Sequence, residues 1–332
     1  MTKFKTMSKI MLACSLTLSL LLAGASLAGA ESVKPARIVF ASGNSVGTYY
    51  YVASGMAKVL TEKMDGVEAT VEATSGSPLE NLNFVFNSVD TLGIANYDAL
   101  LKGISGDKEA GYRKALTPLK VLMAGHTQIC YIVSLENGPV QGFADMKGKK
   151  IGSLTKGASI RAQLEAILEE YGLKSGKDYK LVPMTYSEQI DALKDGNLQV
   201  MTSGGGIPQS AIMDIASSNP VRLINIDQEL KDKLSAKHPY WSFATIPAGT
   251  YKGQDEDVTV ITVQTLLIGR ADLDEDYVYT LVKTLFENND ELAAIHPEGR
   301  NWSRESTVKL FAEAKDLPWH PGVIRLVQEL EN

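Results

Sequence analysis

Short apolar segments alternate with helical segments along most of this 332-residue chain. Residues 37–40, 92–95 and 151–154 have the composition of buried strands, whereas the apolar positions of residues 49–63 recur at helical spacing. Short polar links join the segments, which is typical of a mostly parallel sheet that helices cover on both faces. The alternation therefore predicts an α/β fold.

The length of the chain predicts two lobes, because about 300 residues exceed what one compact core accommodates. A second strand–helix unit starts near residue 147, and the β-rich run at residues 258–269 is long enough to pass from one lobe to the other. We assign residues 33–130 plus 263–332 to lobe 1 and residues 131–262 to lobe 2. The chain would then cross between the lobes twice.

The N-terminus has the three parts of a secretory signal peptide. Three lysines precede an apolar run over residues 10–22, and small residues up to Ala30 form a cleavage site. We predict that residues 1–30 are removed and that the mature chain is exported.

Composition excludes several classes of partner. Removal of the leader's lysines leaves 30 basic and 39 acidic residues, a net charge of about −9, which disfavours nucleic acid and anionic membranes. Cys14 leaves with the leader, so Cys130 stands alone and is expected in the core. No Cys/His cluster has zinc spacing, and the three acids at residues 255–257 are expected in a solvated loop. We expect neither a metal nor a cofactor.

Four predicted strand ends have small polar and Gly residues instead of bulky ones. These loops are residues 42–48, 74–77, 155–159 and 203–206. Ligands of open α/β sheets bind at the carboxyl ends of strands, so two loops from each lobe would line a cleft between the lobes. The first loop also begins a helix, and its backbone N–H groups together with the helix dipole favour an anion.

The first loop has an alternative interpretation as a catalytic elbow. Residues 43–47 match G-x-S-x-G, which holds the nucleophilic serine of α/β-hydrolases. Such an elbow needs an earlier loop for its second oxyanion donor, and Ser45 follows the first predicted strand of the mature chain. No histidine is placed beside Ser45 by the sequence. We therefore expect a receptor without enzymatic activity, and a secreted serine hydrolase that uses Ser45 is the alternative.

Motifs along essentially the whole mature chain point to one family. The most specific are Ala-Thr-Ile-Pro-Ala-Gly-Thr-Tyr at residues 244–251 and Gly-Gln-Asp-Glu-Asp-Val at residues 253–258. Further matches lie at residues 47–50, 75–77, 80–82, 285–288, 291–293, 296–297 and 320–322. With these motifs the chain resembles the TAXI family, the extracytoplasmic solute receptors of TRAP (tripartite ATP-independent periplasmic) transporters.

The resemblance implies a two-lobed periplasmic-binding-protein fold (type II-like) with the ligand cleft between the lobes. It also implies a periplasmic location and TRAP membrane permease subunits as partners. The implied ligand is a small organic anion such as a dicarboxylate, glutamate or a 2-oxoacid. A sensory receptor that presents its solute to a membrane kinase or chemoreceptor would share this fold and is the alternative.

The second-lobe loop departs from the family's usual Pro-Gly-Ser-Gly-Thr-Glu. Lys156 and Arg161 lie near a predicted helix N-terminus, where a cation opposes the helix dipole unless an anion binds there. Solvated charges on the outer face of the helix are the alternative. The expected ligand-binding residues are Ser42, Asn44, Thr48, Tyr49, Ser75, Ser77, Asn96, Lys156, Ser159, Arg161 and Gly205.

Overall fold

The computed structural model describes residues 32–45 and 47–331, so the predicted signal peptide lies outside the described residues. The strands are β1 (Arg37–Ala41), β2 (Glu68–Glu72), β3 (Thr91–Asn96), β4 (Leu119–Leu135), β5 (Lys150–Ser153), β6 (Lys180–Pro183), β7 (Met201–Gly205), β8 (Val221–Leu223), β9 (Ser242–Ile246) and β10 (Val258–Arg270). The helices are α1 (Thr48–Lys63), α2 (Pro78–Asn87), α3 (Tyr97–Ser105), α4 (Ser159–Glu170), α5 (Tyr186–Lys194), α6 (Ser210–Ser218), α7 (Gln228–Lys237), α8 (Glu275–Glu287), α9 (Asn289–Ile295), α10 (Arg304–Glu313) and α11 (Pro321–Glu331). Two 3-10 turns cover Phe143–Met146 and Pro297–Asn301.

Three parallel strands and one antiparallel strand form one part of the main sheet. β1 lies between β2 and β3, with Ile38 opposite Ala69 and Phe40 opposite Leu92. β10 runs antiparallel beside β3. Ile38 and Phe40 are buried, and they share an apolar cluster with Met56 of α1. The carboxyl end of β1 therefore leads directly into the loop that begins α1.

Two long antiparallel strands, β4 of 17 residues and β10 of 13 residues, run through the middle of the sheet. One end of the pair adjoins β3, and the other end pairs with β7, β8 and β9. Polar residues at 125–128 interrupt the apolar pattern, so the sequence predicts two separate strands there. That expectation is wrong, because pairing with β10 keeps residues 119–135 in one strand.

Buried apolar side chains form separate clusters toward the two ends of this strand pair. One cluster comes from residues 38–124 and 266–327 and includes residues of α8 and α11. Two further clusters come from residues 129–263. They cover opposite faces of β4, since alternate residues of the strand belong to different clusters. The lobe boundaries assigned above stay our proposal.

Cys130 lies on β4 and is buried. Burial raises the pKa of its thiol to about 12, so the residue packs as a small apolar side chain. None of the helices in the described residues is both long and apolar enough to cross a membrane.

Candidate functional site

A cavity of about 270 Å³ lies where the loops after β1, β2, β5, β6 and β7 meet. Residues from both ends of the long strand pair contribute to it. Its lining residues are Gly43, Asn44, Gly47, Thr48, Tyr49, Ser75, Gly76, His126, Gln128, Leu154, Thr155, Pro183, Met184, Thr185, Tyr186, Glu188, Gly204 and Gly205.

The N-terminus of α1 forms one wall of the cavity through Gly47, Thr48 and Tyr49. Gly47 is the N-cap residue, and no side chain caps the helix there. The first turn has no acidic residue. The Tyr50 N–H donates to the Gly47 carbonyl oxygen over 3.1 Å, whereas the Thr48 and Tyr49 amides have no acceptor within the helix. The positive end of the helix dipole adds to their attraction for negative charge. This wall therefore offers donors to an anion.

A β-bulge positions His126 at the cavity. Gln264 of β10 lies opposite Thr127, and Leu266 lies opposite Ala124, so Gly125 and His126 together face the single residue Thr265. The Thr265 hydroxyl donates to the His126 carbonyl oxygen over 2.5 Å. Bulges redirect side chains and occur often beside functional sites. Here the bulge lies at a residue of the cavity lining.

The protonation state of His126 follows from its partner. Trp302 Nε1 donates to His126 Nδ1 over 3.1 Å, and because an indole N–H only donates, Nδ1 must be the unprotonated nitrogen. The proton is therefore on Nε2. Burial lowers the His126 pKa to about 3, so the ring is neutral at physiological pH. Nε2 therefore has a proton and is buried without a hydrogen-bond partner among the described residues, in a side chain that belongs to the cavity lining.

Gln128 is held with its amide group turned toward β7. Its Oε1 accepts from the Tyr49 hydroxyl over 3.2 Å and from Asn96 Nδ2 over 2.5 Å. A Cβ atom on Gly204 would lie 2.5 Å from Gln128 Nε2, so a larger residue there would displace the Gln128 amide. Asn96 thus acts through Gln128, whose amide side chain belongs to the cavity lining.

The opposite wall comes from the loop after β6 and the start of α5. Leu154, Pro183 and Met184 are apolar, whereas Thr155, Thr185 and Tyr186 add hydroxyl groups. The exposed Glu188 accepts from the Thr185 N–H over 2.7 Å and from the Thr185 hydroxyl over 2.9 Å. These hydrogen bonds lower the Glu188 pKa, so this carboxylate is ionised at neutral pH.

Five of the residues expected from sequence line this cavity, namely Asn44, Thr48, Tyr49, Ser75 and Gly205. Three others lie behind the lining. The Ser42 hydroxyl donates to the Glu72 carbonyl over 2.8 Å, Ser77 is the buried N-cap residue of α2, and Asn96 contacts Gln128.

Lys156, Ser159 and Arg161 lie elsewhere, in a crevice between α3 and α4. Ser159 Oγ donates to the buried Asp98 Oδ1 over 3.2 Å, and Arg161 Nε pairs with Glu165 Oε1 at 3.3 Å. Burial raises the Asp98 pKa. Because α4 begins at Ser159 and its N-terminus faces α3, these three residues are not brought to the cavity with the others. We do not retain them in the proposed ligand site.

Sequence reasoning missed His126, Gln128 and the wall at residues 183–188. The wall at residues 183–188 could have been found from sequence, because Thr185 and Glu188 form a T-x-x-E capping box, which marks a helix start after a predicted strand. For His126 and Gln128, the only sequence signal was that they interrupt two apolar runs with polar residues. Ser45 is exposed and is not part of the lining, so the structure does not place the hydrolase candidate at the cavity.

Solved structures with this architecture confirm the fold. MatC from Rhodopseudomonas palustris with bound malate has a TM-score of 0.54 and 14% identity, covering 89% of this chain and 96% of that chain. The periplasmic binding protein BugD has a TM-score of 0.54 and 12% identity over the same shares. A protein of Xanthomonas citri bound to ATP has a TM-score of 0.51 and 9% identity, again over 89% and 96%.

These likenesses show a mixed α/β architecture of the periplasmic-binding-protein kind, as the sequence predicts. Identities this low show the fold alone. A sequence model of the NMT1-like family matches residues 40–330, which is nearly the whole mature chain. The chain belongs to the NMT1-like family.

Proposed function

We propose that this protein is a periplasmic solute-binding receptor that captures a small organic anion in the cavity beside α1. The observation that carries the proposal is the convergence of two kinds of unused donor. The uncapped N-terminus of α1 and His126, whose Nε2–H has no partner among the described residues, both belong to the lining. Several preformed donors on one side of a cavity suit a carboxylate.

We propose binding without chemical turnover. His126 is neutral with a pKa of about 3, so it is a poor general base, since an effective base has a pKa near the working pH. Its Nδ1 already accepts from Trp302. The remaining side chains at the lobe 1 wall are hydroxyl and amide donors, which favour recognition over catalysis.

We further propose that the receptor delivers its ligand to TRAP membrane permease subunits. The support is the resemblance at residues 244–251 and 253–258. In the structure these motifs lie in and after β9, where Gln254 Nε2 donates to three backbone carbonyls, of Ile246, Pro247 and Glu256. The motifs thus stabilise a turn and do not touch the cavity. The motifs support a role as a TRAP-type receptor, but they give no information on the ligand. The chemistry of the ligand has to be inferred from the residues that line the cavity.

A thermal-shift screen of the chain from residue 31 tests the binding proposal. Carboxylates, neutral sugars and cationic amines are compared at millimolar concentration. A saturating ligand stabilises the native state by RT ln(1 + [L]/Kd), so a true ligand should raise Tm by several degrees. Shifts with carboxylates alone support an anion receptor, whereas shifts with sugars or amines alone overturn it.

The transport proposal needs a separate test, because a sensory receptor would have the same cavity. The ligand-loaded protein is incubated with detergent-solubilised TRAP permease subunits and, in parallel, with the sensor domain of a membrane kinase. Ligand-dependent retention by the permease supports transport. Retention by the kinase domain alone supports the sensory alternative.

A further inference from the structure

The charges around the cavity carry an inference that deepens the proposed function and rests on it. We infer that the cavity selects monoanions, with one carboxylate on a compact and largely apolar body, and that it discriminates against dianions. The ligands implied by the family resemblance include dicarboxylates, so this inference narrows the class.

The donors that would hold the first carboxylate are neutral. Among the described lining residues there is no lysine or arginine. Lys156 and Arg161, the cations expected from sequence, line the other crevice, and Arg161 is paired with Glu165. The anion is therefore held at one place, by the amides of α1 and by His126 Nε2.

The second loop of lobe 1 cannot provide an equivalent place. Ser75 lines the cavity, but its N–H already donates to Glu80 Oε2 over 3.0 Å, and its hydroxyl donates to the same oxygen. Glu80 belongs to the first turn of α2. A carboxylate of the protein itself thus uses the donors that a second ligand carboxylate would need.

The opposite wall is unfavourable for a second negative charge. Leu154, Pro183 and Met184 cannot replace the hydration of a carboxylate. Hydroxyl groups lie beside them, but that of Thr185 already donates to Glu188 over 2.9 Å. Glu188 is the one formally charged residue in the described lining. Its capping bonds to Thr185 keep it ionised. A ligand that reaches across the cavity should therefore be apolar or neutral at its far end, because like charges repel a dianion.

The test uses acids that differ only in charge. Straight-chain monoacids of three to six carbons, the diacids of equal length and their monoamides are titrated calorimetrically at pH 7.5. Glutaramate and glutarate are nearly isosteric, so their comparison isolates the second charge. We expect the best monoanion to bind about tenfold or more tightly than its diacid, which corresponds to about 1.4 kcal/mol.

Glu188→Gln tests the cause, because glutamine also serves at this position of a capping box. This variant should bind diacids more tightly than wild type does. The ratio between the affinities for a monoanion and for its diacid should therefore fall severalfold. The matched control Glu165→Gln, which removes a carboxylate at the other crevice, should leave the difference unchanged. A diacid that binds wild type as tightly as its monoamide overturns the inference while leaving an anion receptor intact. A difference that Glu188→Gln does not alter also overturns it. Failure of every acid to bind overturns the proposed function itself.

Discussion

Trp302 and His126, 176 positions apart in the chain, share a hydrogen bond of 3.1 Å that joins the C-terminal segment to the ligand cavity. Both side chains are fully buried. The indole N–H determines which imidazole nitrogen is protonated, and it thereby presents a donor instead of an acceptor to the cavity. Gly125 allows this arrangement, since a Cβ atom there would lie 2.2 Å from Trp302 Cε2.

Trp302→Phe should lower both stability and ligand affinity. The change leaves His126 Nδ1 without its indole donor and removes buried volume, at a cost of about 2–4 kcal/mol in the free energy of unfolding. The freed imidazole can then carry its proton on Nδ1, so affinity for the best anion should fall about tenfold. Urea unfolding and calorimetry measure the two effects.

Trp319→Phe is the matched control, because Trp319 is also buried and donates its indole N–H to the Ala314 carbonyl. It does not line the cavity. A similar loss of stability with unchanged affinity is expected there. Equal losses of affinity in both variants would contradict a specific effect on His126.

Gly125→Ala should destabilise the protein, because the added methyl group meets the Trp302 indole and neither backbone nor ring has room to move. Overpacking of this kind costs about 1–3 kcal/mol. Gly142→Ala is the control, since nothing lies within 4 Å of a Cβ built there. Equal unfolding midpoints in urea for the two variants would show that the close contact between Gly125 and the Trp302 indole does not contribute to stability.

Thr48→Asp should strengthen α1 while it weakens ligand binding. A carboxylate in the first turn interacts favourably with the helix dipole, by about 0.3–1 kcal/mol. It also puts a negative charge at the wall proposed to bind the anion, so affinity should fall by about tenfold or more. Ser210→Asp makes the same change at the exposed first residue of α6, outside the lining. It should leave affinity unaltered; a loss there equal to that of Thr48→Asp would argue against a local anion site.

His126→Gln should make stability less sensitive to acid. Burial lowers the His126 pKa to about 3, so the unfolded chain binds a proton below about pH 6.5 that the folded protein does not. Stability therefore falls as the pH decreases from about 6.5 toward 3, by about 2 kcal/mol between pH 7 and pH 5. Urea titrations at both pH values measure this. His320, with its pKa lowered to about 4 by burial, adds to the same slope in both proteins, so the difference between them isolates His126.

Arg161→Ala should leave ligand affinity unchanged, although its place near a helix N-terminus suggested a ligand contact. Its partner is Glu165, one turn along α4, and such a pair contributes only about 0.3–0.5 kcal/mol to stability. Calorimetric titration of wild type and Arg161→Ala with the best anion compares their affinities directly. A large loss of affinity would return the α4 crevice to consideration as the ligand site.

The parts of the fold that depend on local sequence were predictable. The apolar run of β1, the glycines of its loop and the helical spacing of α1 all act over a few residues. The sequence alone could therefore group Asn44, Thr48 and Tyr49, which line the cavity in the structure. The Gly-Ser turn at residues 75–77 follows the same logic, because turn chemistry is local.

The tertiary structure alone decided which polar residues meet at the cavity. His126 is placed by a bulge against Thr265, 139 positions away, and its proton is placed by Trp302. Lys156 and Arg161 resembled ligand contacts in sequence, but α4 begins beside Asp98 of α3, to which Ser159 donates, and both cations line another crevice. Short-range propensities specify strands, turns and helix starts, whereas strand register and helix docking depend on contacts between distant segments that no local pattern records.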